Sequence, residues 1–168
     1  SGLPRHNSDG IGGMHVYVPW WLYGDKQKDF PRGYHIEIGG GFNMPQLGSF
    51  HGTCRRHEGY GKELKQRIQE EYGATVSLAG RGEMIPNPNS YCEIDPNKVD
   101  QWGIPVLRFH WKWSDHELKQ AVHMQQTFAQ IIEAMGGKVN GTPATDGNQA
   151  IAKGGQIIHE VGTCRMGN

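Results

Sequence analysis

The stretch Ile104–Glu117, IPVLRFHWKWSDHE, decides how the chain is read, because one short run holds both a strand and the start of a helix. Phe109, Trp111 and Trp113 fall on one side of it and Arg108, His110 and Lys112 on the other, the period of two that marks a strand with one apolar face. Ser114-Asp115-His116-Glu117 then forms a capping box, a hydroxyl at the N-cap with a carboxylate three residues on. Leu118, Ala121, Val122, Phe128, Ala129, Ile132 and Met135 recur at helical spacing beyond it, and Gly136-Gly137 supplies the stop.

On the N-terminal side, Met14–Trp21 (MHVYVPWW) and Tyr34–Ile38 (YHIEI) alternate as half-buried strands, with the charged Gly24–Gly33 as a loop between them. Gly59–Tyr72 reads as a short helix with Tyr60, Leu64, Ile68 and Tyr72 on one stripe, closed by Gly73. Ala74–Gly82 is a further strand leading to a turn at Pro86–Pro88. Ser90–Asp95 is another, joined to Ile104–Trp113 by a polar loop around Asp100 and Gly103. Strands before a short helix, then strands before a long one, give an α+β fold: a mostly antiparallel sheet with helices packed on one face. No strand–GxGxxG–helix unit occurs, so a dinucleotide-binding half is not expected, and Gly39-Gly40-Gly41 alone is no phosphate cradle.

A length of 168 residues suits a single domain spanning 1–168. Seventeen basic and seventeen acidic side chains cancel, which argues against nucleic acid as a partner, and no apolar run approaches the ~20 residues of a membrane span. The opening Ser1-Gly2-Leu3-Pro4-Arg5 lacks an initiator Met and an apolar leader, and reads as the inside of a longer, soluble protein, cytoplasmic or periplasmic. Cysteines at 54, 92 and 164 are too few for a disulfide framework and leave the redox compartment open. His51, Cys54 and His57 share a three-residue spacing, but no fourth ligand matches and Arg55-Arg56 would repel a cation, so no metal site is expected.

Near the C-terminus, His159–Gly167 reads HEVGTCRMG. Its pattern, His159-x-x-Gly162-Thr163-x-Arg165-Met166-Gly167, resembles the signature of the glucose–methanol–choline (GMC) flavin oxidoreductases, and the upstream GIPVLRFHWKWSDHE and helix ending in MGG resemble what precedes it there. The resemblance is close over the second half of the chain and loose over the first. It implies a substrate-binding domain without the FAD-binding Rossmann part, running into the start of the C-terminal catalytic segment at 157–168. It also implies FAD as cofactor, and His159 as the base that takes an alcohol's proton while hydride leaves for the flavin. A neutral imidazole suits that task because it titrates near neutrality. The family's second catalytic residue, a His or Asn, is expected beyond Asn168, so the segment alone is expected to be inactive.

In a sheet that roofs a flavin, the polar face meets substrate hydroxyls. His35 and Glu37 of YHIEI, with Arg108 and His110 of the later strand, are therefore the candidate substrate contacts, expected together on the face opposite the helix Asp115–Met135. Such side chains suit an alcohol, polyol or sugar. The partner implied for the chain is the parent's missing FAD-binding domain. A rival reading is a non-catalytic carbohydrate-binding module using Trp20, Trp21, Trp111 and Trp113 as a stacking surface.

Overall fold

The computed structural model describes residues 16–21, 29–40, 54–71 and 75–159. Two compact units emerge. One comprises Ser1–Asp25, Gly33–Arg81 and Gln130–Val139, the other Lys26–Arg32, Gly82–Ala129 and Asn140–Asn168.

In the first unit, the alternating stretches form strands β1 (Val16–Trp21) and β2 (Tyr34–Gly40), paired antiparallel with Val16 opposite Ile38, Tyr17 opposite Glu37 and Val18 opposite Ile36. The register slips between Val18 and Trp21, where Pro19 has no N–H to give the ladder. Strand β3 (Val76–Gly82) completes the order β1-β2-β3, and the Ser77 hydroxyl donates to the Gly39 carbonyl at 3.3 Å. Alternation along β2 sends Tyr34 and Ile36 into the core, at 3% and 0% exposure, and turns His35 and Glu37 to the opposite face.

Helix α1 (Gly61–Glu71) is shorter than the sequence predicts and buries no residue. Tyr60, expected on its apolar stripe, is 91% exposed. Gly59 at φ 114° and Gly61 at φ 74° flank it in the left-handed region, so the backbone leaves helical geometry on both sides of Tyr60. Leu64 and Ile68 are half-buried, and Tyr72 lies outside the described residues.

In the second unit, β4 (Tyr91–Val99) and β5 (Pro105–His110) make an antiparallel pair of their own. Asp100 fixes the connection: its Oδ1 accepts from the Trp102 and Ile104 N–H groups at 2.8 and 2.9 Å, and Gly103 takes φ 81°. β5 stops at His110, short of the expected Trp113, because its partner begins at Tyr91, just after the turn closed by the Ser90 N–H on the Asn87 carbonyl at 3.1 Å. The strands are thus divided between a three-stranded and a two-stranded sheet within an α+β fold. Among the described residues β3 and β4 do not pair into one sheet, since the run from Glu83 to Ser90 carries Pro86 and Pro88, and the Ile85 N–H is given to a side chain instead of a ladder.

Helix α2 (Asp115–Ala134) starts where the capping box places it, with the Ser114 N–H donating to Glu117 Oε2 at 2.7 Å and the Ser114 hydroxyl donating to the same oxygen. Its buried face differs from the predicted one. Glu117, Gln120, Ala121, Met124 and Thr127 are buried, whereas Leu118, Val122, Phe128 and Ile132 are half-buried and Met135 is exposed. Burying Glu117 and Gln120 is possible because both are satisfied: Glu117 Oε1 accepts from the Ile85 N–H at 3.0 Å, and Gln120 Nε2 donates to the Arg32 carbonyl at 2.8 Å. Gly82 makes the room, since a Cβ there would collide with the Gln120 side chain. Phe30, 3% exposed, packs its ring edge-on to His123 at 5.3 Å. Burial pushes the His123 pKa down, partly offset by the charge of Asp29.

The short helix α3 (Gly147–Ala150) is capped by Asp146, whose Oδ1 accepts from the Asn148 N–H at 3.0 Å. A Cβ on Gly147 would sit 2.7 Å from the Leu118 carbonyl oxygen and 2.8 Å from its Cα, both backbone atoms that cannot swing aside. Gly147→Ala is therefore expected to cost about 2 kcal/mol. The checking measurement is a lowered unfolding midpoint, which a neutral result at this position would contradict.

Candidate functional site

Register places each polar candidate among partners that its sequence position alone does not reveal. On β2, Glu37 and His35 share a face with Tyr17 of β1, whose ring lies 6.2 Å from the His35 ring. The Glu37 carboxylate accepts a 2.9 Å ion-paired hydrogen bond from Arg81 Nη2 of β3, with only 12% of the Glu37 side chain exposed. On β5, His110 lies opposite Tyr91 and Arg108 opposite Glu93, so these four occupy one face of the two-stranded sheet. The His110 ring stacks on Tyr91 at 4.4 Å with 14° between planes, and its Nε2 is 2.9 Å from Glu93 Oε1. The opposite face carries Ile94, Leu107 and Phe109, all more than half exposed, so the apolar side expected to bury Phe109 against a helix leaves it open.

His35 and Glu37 therefore sit in one sheet, and Arg108 and His110 in another. The expectation that all four share one sheet face is corrected, because β3 and β4 do not pair. Arg81, Tyr91 and Glu93 escaped the sequence reading as members of these clusters. The alternation in SYCEID does put Tyr91 and Glu93 on one side, but only the strand register shows that this is the side of Arg108 and His110.

His159 is exposed and follows the turn formed by Lys153–Gln156, where the Gln156 N–H donates to the Lys153 carbonyl at 3.1 Å. The rest of the signature, 160–168, lies outside the described residues. Trp113 is half-buried and its indole N–H donates to the Ala152 carbonyl at 3.0 Å, while Trp111 meets Trp113 edge to face at 72°. Two rings so crossed offer no common flat surface for a sugar. The side chains of Trp20 and Trp21 lie outside the described ones. Of the His51/Cys54/His57 set, His51 is likewise undescribed, and His57 Nε2 lies 2.9 Å from Glu71 Oε2. No helix among the described residues is long and apolar enough to cross a membrane.

Residues 88–168 match the family model described as GMC oxidoreductase. The chain is 23% identical over 170 residues to 2-methyl-1,2-propanediol dehydrogenase of Mycolicibacterium austroafricanum, covering 95% of the chain and 28% of that protein. It is 28% identical over 80 residues to the gluconate 2-dehydrogenase flavoprotein of Pantoea cypripedii, covering 48% of the chain and 13% of the relative. To the fructose dehydrogenase large subunit of Gluconobacter japonicus it is 27% identical over 101 residues, covering 60% and 19%. The chain thus spans less than a third of the length of each of these relatives. No solved structure matches it. The stretch 88–168, which holds β4, β5, α2 and the His159 signature, is thus the part of the chain that is similar to the GMC oxidoreductases.

Proposed function

We propose that this chain is the substrate-binding portion of an FAD-dependent oxidoreductase that oxidises the CH–OH group of an alcohol, polyol or sugar, with His159 as the base. The observation that carries the reading is the set His159, Gly162, Thr163, Arg165, Met166 and Gly167 at the family's spacing, inside the stretch that matches the family. The relatives named for a diol, for gluconate and for fructose support the substrate class.

The amino end of α2 does not fit the cofactor's pyrophosphate. The amino end of α2 carries Asp115 and Glu117 in its first turn, and Glu117 already takes the Ser114 and Ile85 N–H groups. That end repels a phosphate instead of cradling one. In this reading FAD is held by a separate FAD-binding domain, where it supplies the acceptor for the hydride. The chain's own part is proton chemistry. Neutral His159 accepts the hydroxyl proton as the C–H bond is lost, leaving a carbonyl product and an imidazolium. His35 with Glu37, and Arg108 with His110, are proposed as substrate contacts in two separate pairs.

Two measurements test this. The complete enzyme should show bleaching of its flavin absorbance when a diol, polyol or sugar is added without oxygen. The 168-residue chain alone, purified, should be colourless. Stoichiometric yellow flavin on the chain would overturn its role as an incomplete enzyme. Sugar binding by the flavin-free chain, abolished by Trp111→Ala or Trp113→Ala, would favour the carbohydrate-binding alternative.

A further inference from the structure

We propose that Trp113 is a positioning residue for His159, a role that rests on the reading of His159 as the base. Between Trp113 and His159 the backbone returns through α3 to the turn Lys153–Gln156. That turn is closed twice, by the Gln156 N–H on the Lys153 carbonyl at 3.1 Å and by the Lys153 N–H on Gln156 Oε1 at 2.7 Å. It is fastened to the strand–helix junction at two points. The Trp113 indole N–H donates to the Ala152 carbonyl at 3.0 Å. Gly154 lies against the Trp111 ring, so close that a Cβ would be 3.1 Å from a ring carbon.

Past Gln156 no hydrogen bond supports the chain among the described residues. Ile157 is 46% exposed, Ile158 93% exposed and His159 exposed. Among the described residues the last fixed point before His159 is this turn, three residues away, a span of at most about 10 Å. A displacement of the turn is carried to the imidazole, and a base displaced by about 1 Å loses most of its advantage. Trp113 reaches the reaction only through that displacement.

Trp113→Phe keeps one aromatic ring in place but removes the N–H together with part of the indole that meets Trp111. In the complete enzyme, amide exchange at Gln156 should quicken about tenfold, the effect of one lost hydrogen bond. The rate of flavin reduction should fall about tenfold while KM stays within about twofold. Gly154→Ala, which crowds the Trp111 ring, should act in the same direction by an independent route. The deciding arm is the double variant. If Trp113 works through His159, adding Trp113→Phe to His159→Asn costs nothing further. Losses that multiply, or unchanged exchange at Gln156, would overturn the proposal. A near-normal rate in His159→Asn alone would remove the base reading and the positioning role with it, whereas quickened exchange would still record the anchor.

Discussion

With His159 as the proposed base, His159→Asn in the complete enzyme should lower the rate of flavin reduction by about 10²-fold or more, with flavin content and fold retained. The magnitude is that of a positioned general base, roughly 10²–10⁴-fold. Asparagine fills similar space and keeps a polar end, but it cannot take a proton. His159 is exposed and makes no hydrogen bond among the described residues, so its replacement removes no packing there. Anaerobic stopped-flow reduction, normalised to bound flavin, checks the expectation. A structural histidine would instead give poor expression with near-normal turnover per folded molecule.

The largest expected effect on stability is at Glu117, 3% exposed and bound by the Ser114 hydroxyl and by the Ser114 and Ile85 N–H groups. Glu117→Ala strands two backbone donors and opens a space beside Ala121, and should cost about 3 kcal/mol. Glu117→Gln keeps the shape but replaces a charged acceptor with a neutral one, at about 1–2 kcal/mol. The pH dependence has a definite sign. Burial alone would raise the carboxyl pKa, but the Ser114 and Ile85 hydrogen bonds outweigh it and the net shift is downward. A depressed folded-state pKa gives a contribution that is full above the ordinary carboxylate range and is lost as pH falls through the lowered value. Denaturant titrations from neutral pH to pH 3 should show that loss in the wild type and not in Glu117→Gln. Parallel acid profiles for the two proteins would contradict the assignment.

Much of this was legible because it is local. The capping box at Ser114–Glu117 marks the start of α2, since a hydroxyl and a carboxylate at that spacing satisfy only a helix's first turn. Alternation in VYVPWW, YHIEI and IPVLRFH finds the strands, and in β2 it also separates Tyr34 and Ile36 from His35 and Glu37. The signature ending at Gly167 carries the family resemblance and the candidate base by spacing alone.

What the sequence by itself determined, then, is the start of α2, the approximate runs of the strands, the α+β class, and the identity of His159 as the residue to test. Tertiary structure alone decided which strands pair, because ladder partners distant in sequence are chosen by turns and prolines such as Pro86 and Pro88, not by propensity. It also decided which side of α2 is buried. Hydrophobic spacing points to Leu118, Val122 and Ile132, yet Glu117, Gln120 and Thr127 go inside with Ala121 and Met124. A polar side chain can be buried only where partners await it, and those partners, the Ile85 N–H, the Arg32 carbonyl and the space left at Gly82, come from segments far along the chain.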